Sequence, residues 1–117
     1  MTDYKYIFEV GDTCWVQLGE GLPRQVVVTE RQENPNWKPL PERYQDDPYF
    51  SRLRYSYKLR SLNGKEDKWF TYGDDLFERD HLIEINKLAL EMTIQRYDDK
   101  KQVAFLKRRL KKLEAGV

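Results

Sequence analysis

A chain of 117 residues has room for one hydrophobic core and excludes two ordinary domains, and its single cysteine, Cys14, excludes an internal disulfide and a multi-cysteine zinc site. The formal net charge of +1 is polarised, with 12 Lys+Arg against 15 Asp+Glu in residues 1–80 and 9 against 5 in residues 81–117. There is no basic-then-apolar leader and no run approaching the ~18 apolar residues of a membrane span, so the chain reads as soluble and cytoplasmic, with no membrane partner.

The first element is announced by Gly11-Asp12, a turn signal followed at once by alternating residues. This predicts a strand over 13–18, with Cys14, Val16 and Leu18 on one face and Trp15 and Gln17 on the other. A glycine- and proline-rich turn at 19–23 leads to a second strand over 24–31, where Val26, Val27 and Val28 favour extended backbone because β-branching stiffens χ1. From 32 to 52 the pattern dissolves among Asn34, Pro35, Asn36, Pro39, Pro41 and Pro48. Long loops of this kind are usually functional, and Trp37, Leu40, Tyr44, Tyr49 and Phe50 suit either a flap folded onto the core or a loop that presents Trp37, Tyr44, Tyr49 and Phe50 to a partner.

A third strand over 53–61 alternates cleanly, with Leu53, Tyr55, Tyr57 and Leu59 opposite Arg54, Lys58 and Arg60. Asn63-Gly64 predicts a two-residue type I′ hairpin and hence a fourth, antiparallel strand over 67–72 bearing Trp69, Phe70 and Tyr72. Residues 73–77 read as a tight or 3₁₀ turn whose Leu76 and Phe77 plug the end of a barrel. The aromatic fraction of 14% suits the small interior of a β-barrel.

These residues in this order (Phe8, Val10, Gly11, Asp12, Trp15, Val16, the valine-rich strand, Tyr57, Lys58, Leu59, Trp69, then Asp75, Leu76, Phe77) resemble the SH3-like barrels of the Tudor, KOW and CarD-type group, including small bacterial and phage proteins of that plan. The resemblance covers about residues 5–78. It implies a small SH3-like antiparallel barrel at 1–78 with an insertion at 32–52; with the helix or helical hairpin that the periodicity gives at 79–117, the chain is mainly β with added α. It implies a fold more than a role, since this architecture hosts methyl-ligand readers, RNA and polymerase binders, and plain adaptor domains.

Beyond residue 79 the period changes from two to between three and four. Leu82, Ile85, Ala89 and Met92 form one stripe and Val103, Leu106, Leu110 and Leu113 another, in a single register. Either one long helix or two helices meeting near 97–99 fits, and Ile83, Leu88, Leu90, Ile94 and Tyr97 make the first part apolar on more than one face. The second stripe is a helix interface, either folded back on the first or paired with another copy as a coiled coil.

Chemistry-bearing residues are sparse. His81 has no metal-ligand spacing around it, Cys14 sits within a strand, and the carboxylate pairs at 46–47, 74–75 and 98–99 fall where turns and caps favour Asp. No phosphate loop is present, so no enzyme, cofactor, metal or small-molecule substrate is expected. Trp15, Tyr57, Trp69 and Tyr72 are the aromatics that a cation cage would need, or they are core. Arg52, Arg54 and Arg60, with Lys107, Arg108, Lys111 and Lys112, are phosphate-binding candidates or simply a solvated face. The first expectation is therefore a non-catalytic module that binds a protein partner or itself, and the second is a nucleic-acid binder.

Overall fold

The computed structural model describes all residues except 1–3, 20, 46 and 117. Gly11 is the third residue of the turn from Glu9 to Asp12, at φ +96°, a backbone conformation that a β-branched residue avoids. The Asp12 carboxylate locks this turn by accepting from the Glu9 amide at 2.9 Å and from the Lys5 ammonium at 2.5 Å. The chain then enters β1 (Thr13–Val16), turns, and returns as β2 (Arg24–Glu33), followed by β3 (Tyr55–Ser61), β4 (Thr71–Tyr72) and β5 (Leu76–Phe77). The five strands form one antiparallel sheet in the order β4-β3-β2-β1-β5, and the described pairings do not join its two edges into a closed barrel.

Several expected boundaries are corrected. β1 ends at Val16, because Gln17 turns its backbone N–H to the Asp75 carbonyl and Leu18 is exposed. β2 runs on through Gln32 and Glu33, and Thr29 is an extra residue between the pairs Val28–Leu59 and Glu30–Lys58. That bulge bends β2, so one half lies between β1 and β3 and the other pairs with β3 alone. β3 starts only at Tyr55, leaving Leu53 exposed outside the strand, and β4 is reduced to two residues.

The hairpin after β3 is not type I′. Only Gly64 has positive φ there, the Gly64 N–H bonds the Ser61 carbonyl and the Ser61 N–H bonds the Lys65 carbonyl, which is a three-residue loop closed by a glycine bulge. A 3₁₀ turn at Gly73–Asp75 then feeds β5, a strand the sequence reading folded into the turn. Gly73 is obligatory because a Cβ would sit 1.9 Å from the Arg52 carbonyl oxygen.

One face of the sheet carries the main core: Phe8, Cys14, Val16, Val26, Val28, Tyr57, Leu59 and Leu76. The Tyr57 hydroxyl accepts from the Phe8 amide at 3.2 Å, so the buried phenol has a partner. The opposite face presents Trp15, and on it sit α1 (Arg79–Arg96) and α2 (Lys100–Ala115). Of the two sequence readings of the tail, the hairpin is the one observed. Asp99 starts α2 by accepting from the Gln102 amide at 3.0 Å, and Gly116, at φ +73°, ends it in the left-handed cap conformation.

Candidate functional site

The helical hairpin is fastened to the sheet at three places. Trp15 packs with Leu82 and Leu113 in a second core cluster bordered by Phe77 and Ile83. Asn86, buried within α1, donates to the Gln17 side chain at 3.0 Å and to the Leu82 carbonyl at 2.9 Å. Third, the Arg109 guanidinium donates to the carbonyls of Gly19 and Gly21, between β1 and β2, while stacking 4.3 Å from the Phe105 ring; the two helices are tied to each other by the Arg79 guanidinium, which donates to the Leu113 and Glu114 carbonyls. Arg109 is thus a buried strut rather than a surface cation. Its spacing of three from Leu106 and four from Leu113 was the available signal, since that places it on the apolar stripe.

The stripe expected on α1 is only half correct. Leu82 and Ala89 turn inward, but the other inward positions hold Asn86 and Thr93, whose hydroxyl donates to the Ala89 carbonyl at 2.8 Å. Ile85, Leu88, Met92 and Ile94 remain 37%, 58%, 47% and 59% exposed. Leu88 lies in a shallow groove of about 410 Å³ shared with Ile83 and Lys87 and edged by Asp80, Glu84 and Glu91. On α2, Leu106, Leu110 and Leu113 are buried within the chain and Val103 is half-buried, so the stripe is covered by the rest of the chain, Leu113 by Leu82 and by Trp15 of the sheet.

The four cage aromatics are not brought together. Tyr57 is enclosed in the main core and Trp15 lies under the helices on the opposite face, whereas Trp69 is 80% exposed and Tyr72 is exposed on edge strand β4.

The loop aromatics do assemble. Tyr44 and Phe50 are 4.7 Å apart, Phe50 and Tyr49 5.3 Å, and Arg43 and Arg52 lie over the rings of Tyr44 and Tyr49 at 4.6 and 4.0 Å. Trp37 stands apart, half-buried in a cleft of about 430 Å³ with Pro39, Leu40, Gln45 and Arg54. The loop folds on itself, with the Asn34 amide donating to the Arg54 carbonyl, and Tyr49 and Phe50 stay exposed. Asp46 of the 46–47 pair lies outside the described residues.

The phosphate candidates separate likewise. Arg52 is engaged by Tyr49, and Arg54 pairs with Glu33 at 3.6 Å. Arg60 is exposed on the helix-bearing face, two strands from Trp15. Lys107, Arg108 and Lys111 are exposed together on the outside of α2, with Lys112 half-buried beside them.

His81 proves less solitary than its spacing suggested. Its ring stacks on Tyr4 at 4.3 Å and meets the edges of Tyr6 and Phe77, and Tyr6 in turn meets Tyr49, so aromatic contact runs from the loop through the N-terminal segment to α1. The Tyr4 hydroxyl donates to Glu84. Burial pulls the His81 imidazole below its ordinary value, against Glu84 and Glu78, which pull the other way, and its Nδ1 has no hydrogen-bond partner among the described residues. Burial pushes the Cys14 thiol up to about 12. Among the described residues no group of His, Cys, Asp and Glu is arranged to hold a metal ion, and no helix is long and apolar enough to cross a membrane. No protein-family model, curated protein or solved structure matches this chain.

Proposed function

We propose that the protein is a non-catalytic interaction module in which an SH3-like platform carries a helical hairpin that docks a protein partner through α1. The observation that carries this reading is the inversion on α1, where Asn86 and Thr93 are buried while Ile85, Leu88, Met92 and Ile94 face solvent. Folding alone favours the reverse arrangement, since burying each aliphatic side chain is worth about 1.5 kcal/mol or more. Asp80, Glu84 and Glu91 edge the groove around Leu88, so the complementary partner presents apolar side chains flanked by basic ones.

The SH3-like reading of the platform rests on the strand order β4-β3-β2-β1-β5, the Thr29 bulge that bends β2, and the 3₁₀ turn that feeds β5. The non-catalytic reading is supported by the state of the two reactive side chains: Cys14 is buried as a protonated thiol in the main core, and His81 is enclosed by aromatic rings elsewhere. Affinity capture from the native host's lysate, with and without nuclease, tests the proposal by comparing the unmodified protein with Leu88→Asp/Met92→Asp. Both positions are exposed, so the variant is expected to fold. A protein retained after nuclease by the former and lost by the latter is the expected result, and identical capture by both contradicts it.

A further inference from the structure

With its apolar stripe and Arg109 turned inward, α2 presents an outer face formed by Lys100, Lys101, Lys107, Arg108 and Lys111, all exposed, with Ala104 among them. Among the described residues no ion pair engages any of these five cations. Acidic residues occur only at the ends of the helix, Asp98 and Asp99 before it and Glu114 in its last turn. The helix is held firmly in place, by Arg109 to the Gly19 and Gly21 carbonyls and by Arg79 to its C-terminal carbonyls. The remainder of the chain is acidic in net charge.

We infer that the outer face of α2 is a nucleic-acid backbone-binding surface, indifferent to base sequence. The chemistry selects phosphate backbone over the other polyanions. A basic helix inserts into a lipid surface by its own apolar face, and that of α2, Leu106, Leu110 and Leu113, is buried against the rest of the chain; the apolar groove beside Lys100 and Lys107, with Ile94 and Tyr97 exposed, is edged by Asp98 and Asp99. An acidic protein needs an apolar or aromatic centre to its interface; between these cations stands only Ala104, and the apolar groove that Ile94, Tyr97 and Val103 form lies to one side, beside Lys100 and Lys107, where Asp98 and Asp99 edge it and would repel an acidic partner. From Lys100 to Lys111 the cations span ~16 Å of helix axis, alongside which a duplex carries about ten charges. Lys and Arg side chains on such a ridge contact phosphates and carry no code for base edges.

Fluorescence anisotropy with a labelled 20-base-pair duplex of mixed sequence tests the inference. Neutralising about three to five phosphates makes the affinity of the unmodified protein fall roughly 40- to 500-fold between 50 and 200 mM salt. Lys107→Gln/Arg108→Gln/Lys111→Gln, which preserves helix propensity, is expected to weaken binding at 50 mM salt at least about tenfold and to flatten the salt slope by about 2.7. Lys38→Gln/Lys65→Gln/Lys68→Gln removes the same charge from exposed positions on and around the sheet and is expected to leave binding within about twofold of the unmodified protein. Circular dichroism confirms that both variants are folded. The inference is overturned if the unmodified protein does not bind at 50 mM salt, if both variants lose affinity equally, or if phosphatidylserine vesicles are bound as tightly as the duplex.

Discussion

At the scale of single residues, environment rather than residue type decides each role. Asp12 shows this for a turn: the Lys5 ammonium first, and the Glu9 amide second, hold its carboxyl below the usual carboxylate range, so its contribution to stability is present at neutral pH and is lost as the pH falls below about 3.8. His81 acts in the same direction at higher pH. Because burial lowers its pKa, the unfolded chain binds more protons just below pH ~6.5 than the folded one, and stability declines as the pH falls through that window. The Glu78 and Glu84 carboxylates temper the effect, and the facing Tyr4, Tyr6 and Phe77 rings carry no charge there. His81→Phe keeps a ring for Tyr4 and Tyr6 to pack on and removes the titration. Melting temperatures measured from pH 7 to pH 5 are expected to fall less steeply for this variant than for the unmodified protein, and identical slopes would dismiss His81 as the titrating group.

At the scale of elements, local signals located β1 to β3 and both helices, but not β5 or the shortness of β4, and they gave the faces of the helices less well. Alternation put Cys14 and Val16 of β1 opposite Trp15, and Tyr57 of β3 on one face with Leu59, because successive side chains point to opposite faces of a strand whether one face is buried, as in β3, or both are, as in β1. The end of α1 and the start of α2 were legible in the Tyr97-Asp98-Asp99 interruption. The inward face of α1 was not, because Asn86 is satisfied by Gln17, a partner 69 positions away that no local periodicity contains. The glycine-bulge turn escaped for a related reason: Asn63-Gly64 suits two hairpin geometries, and the long-range register of β3 chooses between them.

The α2 stripe offered two outcomes, and its burial within one chain makes Leu106→Asp/Leu110→Asp a test of the hairpin. Placing two unpaired carboxylates there is expected to lower stability by at least about 3 kcal/mol in chemical denaturation without changing the sedimentation mass. Unchanged stability with a halved mass would show that the stripe joins two copies instead.

At the scale of the whole molecule, chemistry and shape divide cleanly. The sheet encloses the aromatic and aliphatic core on one face, while its other face serves as the seat of a hairpin whose two helices expose different surfaces: an apolar, acid-edged flank on α1 and a basic ridge on α2. The sequence already showed apolar residues on more than one side of the first helix and a basic tail. It did not show that the tail's apolar stripe would be covered, which is what leaves α1 as the exposed apolar surface of the hairpin. Photo-crosslinking in native-host lysate tests this division most directly, with a crosslinkable amino acid placed in separate variants at 88 on α1, 49 in the loop and 72 on β4, all exposed positions. A nuclease-resistant protein adduct formed from position 88 and absent from 49 and 72 is the expected result; adducts from 49 or 72 with none from 88 would contradict it.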